Sequence, residues 1–256
     1  MYTYILKINS RESNYKVTTN PIQVSYNNTG NSSLIQRISV KGASIPHVFY
    51  NVNATNNVLK FSADLTNNTY TWPVGNYTIT SFLASFNNSL GALLGVSFNL
   101  NPLTNKLELK TTTLNIILQS AGSTCFSLLG LRTTENFSSI GLSPAVTPLT
   151  FMPDLSGIRN IYIETSFSNM NCLDSKGYKS YGAFVPVDKS FGSIIHYINQ
   201  EQDLNNIVRS KVYSQNLNKI EIALRDVDGN LLDLQNMNWE VTFHILLAHE
   251  HDLVDN

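Results

Sequence analysis

"KIEIALRDVDGNLLDLQNMNWEVTFHILLA", residues 219–248, is the stretch that decides the fold class. Ile220, Ile222 and Leu224 alternate with Glu221, Ala223 and Arg225. After Asp228-Gly229, Trp239, Val241, Phe243, Ile245 and Leu247 alternate with Glu240, Thr242, His244 and Leu246. Successive side chains of a strand point to opposite faces, so this period of two predicts two half-buried strands. Trp239, Val241, Phe243 and Ile245 are expected to face the core, with Glu240, Thr242 and His244 turned outward or into a subunit interface. Asp-Gly between such runs signals a hairpin, because glycine takes positive φ at no steric cost. Asp226, Asp228 and Asn230 also resemble half of a calcium loop, but Leu231-Leu232-Asp233-Leu234 follows where a glutamate is required. The acidic stretch therefore reads as a turn.

The same period recurs outward from this stretch. "SLIQRISVKG" (33–42) and "VLKFSADL" (58–65) alternate. "VSFNLNPLTNKLELKTT" (96–112) reads as a hairpin with its loop at Asn101–Lys106. "LNIILQS" (114–120) and "GIRNIYIETS" (157–166) add further strands. Short strands between Asn, Gly, Pro and Ser turns predict an all-β sandwich or barrel. Helical spacing is strong once, where Ile79, Phe82, Leu83, Phe86, Leu90 and Leu93 recur at three and four residues. Thr78 or Thr80 is expected to cap that helix and Gly95 to stop it. "STCFSLLGL" (123–131) predicts one more helical turn. Residues 166–216 are less regular and read as an excursion inserted into the framework. No fixed-period repeat and no Pro- or Gly-rich linker appears, so residues 1–256 are expected to form a single domain.

Composition narrows the function classes. The 256 residues carry 17 basic and 18 acidic side chains, a formal net charge of -1. Nothing in that balance steers the chain to nucleic acid or an anionic membrane. Only 14% of residues are charged, against about 25% in an ordinary soluble domain. Such a surface suits a subunit largely covered by neighbours. "MYTYILKINSRES" lacks the basic and apolar regions of a signal peptide, and no apolar run is long enough to span a membrane. Cys125 and Cys172 read as thiols of a reducing compartment. The sequons at Asn31, Asn53, Asn76 and Asn136 are what an Asn- and Thr-rich chain produces without a secretory route.

The search for chemistry is negative. "GASIP" and "GLSPA" each lack the second glycine of a nucleophile elbow, and no phosphate loop, dinucleotide fingerprint or H-E-x-x-H is present. His249 and His251 would share a strand face but lack a third metal ligand, and a solvated tail is the reading. His47, after Pro46 and among aromatics, and His196, in a short apolar run, read as packed or hydrogen-bonded histidines. Tyr50, Phe61, Trp72, Tyr77 and Trp239 could stack on sugars or bases, but core packing is the default for aromatics on strand faces. No catalytic, cofactor-binding or metal-ligating set is assigned, and the chain is not expected to be an enzyme.

The order of the motifs carries a resemblance. "SVKGASIPHVFYNVN" (39–53) leads to "VGNYTITSFLASFNNSL" (74–90), the hairpin at 96–112, "TCFSLLGL" (124–131), "DLSGIRNIYIETS" (154–166) and the closing stretch. This series resembles the penton (vertex) or minor capsid proteins of virophages, Polinton-like viruses and related large DNA viruses of eukaryotes. The likeness lies in the I-P-x-x-F-Y-N stretch, the G-x-Y helix entry, the Leu-Leu-Gly segment, and a last acidic-Gly-Asn turn with Trp after it. It covers roughly residues 34–247. It implies a single jelly roll of two facing antiparallel sheets, and the residues before it, about 1–30, are expected to form an N-terminal arm. It further implies a structural virion protein that forms homopentamers at the fivefold vertices of an icosahedral capsid, alongside a double jelly-roll major capsid protein. Assembly would take place in the host cytoplasm. The alternative from another class is a β-sandwich binding module, lectin-like or receptor-binding.

Overall fold

A computed structural model of the chain describes residues 2–10, 21–25, 33–112, 115–134, 136–140, 145–166, 171–174, 177–199, 210–214 and 219–249. The chain divides into two compact units. One joins Met1–Phe49 to Ile158–Asn256, and the other is the intervening Tyr50–Gly157.

The first unit begins with β1 (Tyr2–Asn9), β2 (Ile22–Ser25) and β3 (Ser33–Pro46). The second unit follows with β4 (Val58–Ala63), β5 (Thr66–Thr71), α1 (Ile79–Phe86), α2 (Ala92–Leu94), β6 (Val96–Leu100) and β7 (Leu107–Thr111). It continues through β8 (Asn115–Gln119), α3 (Phe126–Leu129), β9 (Phe137–Ile140) and β10 (Ala145–Pro148). The chain then returns to the first unit as β11 (Asn160–Thr165), β12 (Asn171–Asp174), β13 (Gly177–Ser180) and β14 (Ala183–Pro186). It closes with β15 (Ile194–Ile198), β16 (Ser210–Ser214), β17 (Lys219–Arg225) and β18 (Glu240–His249).

The first unit is a jelly-roll sandwich. One sheet has the order β1-β18-β3-β15, with β16 also on β3, and the other has the order β14-β11-β17-β2. All pairs are antiparallel. The pairs β1·β18, β2·β17, β3·β15 and β11·β14 are nested in sequence, like one long hairpin rolled into two layers. That nesting is the jelly roll. Both sheets feed one core. Ile38, Ile45, Val241 and Phe243 enter from the first, and Ile161, Ile163, Ile220 and Ile222 from the second. Trp239, just before β18, and Val241, Phe243 and Ile245 on it are buried as the alternation predicts, while Glu240, Thr242 and His244 are half-exposed. On β3 the buried set changes from Ile38 and Val40 to Ala43 and Ile45, an even-to-odd switch. The ladder to β18 shifts register between Val40 and Gly42. One extra residue in a strand flips every later side chain to the other face.

One expectation is corrected here. The Asp228-Gly229 turn does not join a hairpin, because β17 and β18 lie in different sheets. Period two shows which face a strand buries and not which strand lies beside it. The chain reverses locally through the Arg225–Leu231 bridge, buries Leu232 and Leu234, and crosses to the opposite layer. Among the described residues of the 166–216 excursion, β14, β15 and β16 pair within the framework sheets, and the β12–β13 hairpin forms a sheet of its own. Tyr50–Gly157, between β3 and β11, also lies off the two framework sheets. Within the expected N-terminal arm, β1 and β2 are framework strands, and residues 11–20 and 26–32 lie outside the described residues.

The second unit holds the sheets β5-β4-β8-β9 and β10-β7-β6, with its own core of Trp72, Phe61, Phe82, Phe86, Phe98 and Phe126. The helix starts as predicted. Thr78 caps it through Ser81 N at 3.2 Å, and the Ser81 hydroxyl accepts from Thr78 N at 3.0 Å. It does not stay α-helical to Leu94. A π-helical turn occupies Asn87–Gly91, with Ser89 out of helical geometry. Asn87 explains the break, since its side chain pairs with β6 (Asn87 Nδ2 to Phe98 O 2.8 Å, Phe98 N to Asn87 Oδ1 2.9 Å). Gly95 ends the helix in the left-handed region, φ 65°.

Candidate functional site

The acidic turn closes on itself. Asp226 Oδ1 accepts from Asn230 N at 2.8 Å and Oδ2 from Asn230 Nδ2 at 3.0 Å. Arg225 pairs with Glu164 and donates to Gly229 O at 2.8 Å. Gly229 sits at φ 85°, which a side chain would resist. Both Asp226 oxygens thus accept from Asn230, the hydrogen bonding of a turn. Among the described residues no three His, Cys, Asp or Glu side chains gather to hold a metal.

The histidines and aromatics are placed by packing. His47 Nδ1 bonds Lys189 O at 2.7 Å, and its ring lies 4.5 Å from that of Phe49 and 5.9 Å from that of Phe191. His196 Nδ1 bonds Ser44 Oγ at 3.1 Å on an exposed sheet face. His249 ends β18, but its side chain and all of His251 lie outside the described residues, as does the side chain of Cys172. Cys125 is buried, and that burial pushes its thiol well above the ordinary range. Phe61, Trp72 and Trp239 are core residues. Trp72 stacks on Phe82 at 4.5 Å and donates its indole N–H to Phe82 O at 2.9 Å. The indole N–H of Trp239 is buried without an acceptor.

One residue that the sequence does not flag organises the second unit. Asn51, the last residue of I-P-x-x-F-Y-N, is buried. Its Nδ2 donates to Tyr77 O at 2.8 Å and to Leu155 O at 2.9 Å, and its Oδ1 accepts from Tyr77 N at 2.8 Å. Alongside, Val52 and Gly75 exchange backbone hydrogen bonds at 3.1 and 2.9 Å. Gly157, φ 65°, lies where a Cβ would come within 3.0 Å of Asn51 Cβ. Three motifs far apart in sequence, I-P-x-x-F-Y-N, G-x-Y and D-L-S-G, therefore meet at one amide. That amide ties the start of the unit to its end. The Leu-Leu-Gly motif has a comparable role, since Gly130, φ 76°, lets Phe151 O approach to where a Cβ would be 2.3 Å away.

The outer face of the β1-β18-β3-β15 sheet carries a row of polar side chains. Glu240, Ser44 and His196 lie in one row across three strands. Lys7 Nζ reaches Glu240 Oε2 at 2.8 Å, and Asn9 Nδ2 reaches Oε1 at 2.9 Å. The Lys7 hydrogen bond holds the Glu240 carboxyl below the usual carboxylate range, and Asn9 adds to this. A shallow depression of about 320 Å³ lies here, floored by Gly42 and Thr242. A side chain at position 42 would come within 3.0 Å of Tyr197 O. Exposed isoleucines, Ile5, Ile194 and Ile198, stand at the margins of this sheet.

No family model matches the chain, and no curated protein does. Among solved structures, the fold is similar to a crystal structure of the selenomethionine-labelled mavirus penton protein. The TM-score is 0.54 at 12% sequence identity, over 96% of this chain and 100% of that one. The alignment takes in both units, so the likeness of fold extends along nearly the whole length of the chain.

Proposed function

We propose that this chain is a structural virion protein, the penton that forms homopentamers at the fivefold vertices of an icosahedral capsid. The observation that carries the reading is the end-to-end likeness to a penton fold, jelly roll and intervening unit together. The order of sequence motifs and the low charged fraction support it independently. In this reading residues 1–256 act as one subunit, with β-sandwich strands as a stiff frame and connecting segments as contact surfaces. The partners are further copies of itself and a double jelly-roll major capsid protein. The chain binds no nucleic acid sequence and performs no catalysis, and it assembles into virions in the host cytoplasm. Among the described residues no helix is long and apolar enough to cross a membrane.

The binding-module alternative draws less support. Of its five stacking aromatics, Phe61, Trp72 and Trp239 are buried in the cores, while Tyr50 and Tyr77 are half-buried. The direct test is the mass of vertices released gently from particles. A complex of five 28.6 kDa chains is expected. Release as a trimer, or in a complex with no repeat of this chain, would refute the pentamer.

A further inference from the structure

The edges of the β1-β18-β3-β15 sheet match each other. An edge strand presents unpaired main-chain N–H and C=O groups, and soluble proteins ordinarily cover or blunt them. Among the described residues β1 pairs with β18 alone and β15 with β3 alone. Every pair in this four-strand path is antiparallel, so its two end strands run in opposite directions. A second copy rotated about an axis near the strand direction keeps its own strand sense. Its β15 would therefore meet the first copy's β1 antiparallel, and the ladder could continue from copy to copy without inversion.

The side chains agree with that geometry. Ile8 on β1 and Ile195 on β15 point into the core. By alternation Ile5 and Lys7, and Ile194, His196 and Ile198, share the outer face. Ile5 is 71% exposed, Ile198 72% and Ile194 54%. Large apolar side chains thus stand exposed on the same face at both open edges, and joining the edges buries them against one another.

We propose that this sheet continues between copies of the chain, with the β1 edge of one subunit hydrogen-bonding antiparallel to the β15 edge of its neighbour and Ile5 packing on Ile198. The inference rests on the homopentamer reading and names its contact. A sheet closed into a ring tilts its strands and steps its register. A step of two residues places Ile5 opposite Ile198 and Lys7 opposite His196. Lys7 is already paired with Glu240, so this register sets no unpaired cation against the neighbour. The contact is heterologous, as a cyclic assembly requires.

The test is a cysteine pair, Ile5→Cys with Ile198→Cys, oxidised in assembled vertices and run on a non-reducing gel. Directly opposed strand residues bring Cβ atoms within about 4.5–5.5 Å, close enough for a disulfide after small adjustment. The expected result is a covalent ladder from dimer to pentamer in the double variant, and none in either single variant. A second variant, Ile5→Asp, changes an exposed position, so its subunit should melt as the wild type does while associating at least about tenfold more weakly. Vertices of five that form normally with Ile5→Asp, or that give no ladder with the pair, would overturn this contact and leave the pentamer standing. Vertices that hold no ring of five would overturn both.

Discussion

Replacing Asn51 by alanine removes three hydrogen bonds, two donated to Tyr77 O and Leu155 O and one accepted from Tyr77 N, at 2.8–2.9 Å. An ordinary hydrogen bond contributes about 0.5–1.5 kcal/mol net, and a buried partner left unsatisfied costs about 1–3 kcal/mol. Water can reach part of the vacated space, so a loss of about 2–4 kcal/mol is expected in the second unit. Asn51→Asp separates the donors from the acceptor. Its carboxylate still accepts from Tyr77 N–H but confronts two carbonyl oxygens, so at pH 7 it should be no better than alanine. Those carbonyls raise the folded-state pKa of the new carboxyl above its unfolded value of about 3.9. The penalty is then fully present above the folded pKa and relieved as pH falls through it, because the neutral acid can donate. Two compact units need not melt as one, so a single melting curve is the wrong assay. Amide hydrogen exchange at Val52, Gly75 and Tyr77 reads the second unit directly. Asn51→Ala within 0.5 kcal/mol of wild type at these amides, or an Asn51→Asp insensitive to pH, would refute the clamp.

Other changes have definite expected outcomes. Trp239→Ala should cost about 3–5 kcal/mol by cavity formation, measured by urea unfolding, while Trp239→Phe should cost much less because the indole N–H has no acceptor to lose. Leu65→Gly should stabilise by about 1 kcal/mol, since Leu65 holds φ 71° at a hairpin tip while 97% exposed. A loss of stability there would show that Leu65 is not strained. Glu240 has a depressed pKa when folded, so its small stabilisation is present above the ordinary glutamate value and lost as pH falls through the folded one. Screening keeps the effect small, and Lys7→Met should reduce it in a pH-stability titration, leaving the part that Asn9 contributes. Protein dialysed against buffer should hold no stoichiometric calcium at Asp226, whose oxygens already accept from Asn230. One retained ion per chain would contradict the turn.

Some of this fold is legible in the sequence because burial leaves a periodic trace. The alternation at Trp239–Ile245 names the core face of β18 correctly, and Thr78 and Gly95 bound the helix because capping chemistry is local. Pairing leaves no such trace. Ile220–Leu224 and Trp239–Ile245 alternate equally well whether they pair side by side or face each other across a core, as they do. The position of the second unit is hidden for the same reason. Its strands bury Phe61, Phe98 and Leu109 with the period of the framework strands, so Tyr50–Gly157 reads as more of the same sheet. The framework strands β14 and β15, by contrast, are short and set among Gly and Ser, and they read as an excursion. Asn51 escapes notice because one buried amide in an Asn-rich chain has no pattern around it. The isoleucines at the sheet edges escape because alternation alone does not distinguish an edge strand from a central one.

The central claim, a vertex protein acting as a ring of five, is tested most directly by a particle reconstruction refined around the fivefold axes. The account predicts jelly-roll density for this chain at those axes, five copies to a vertex, with large side chains at Trp72 and Trp239 identifying it. Finding the chain only at threefold or quasi-sixfold positions, or missing from the particle, would contradict it.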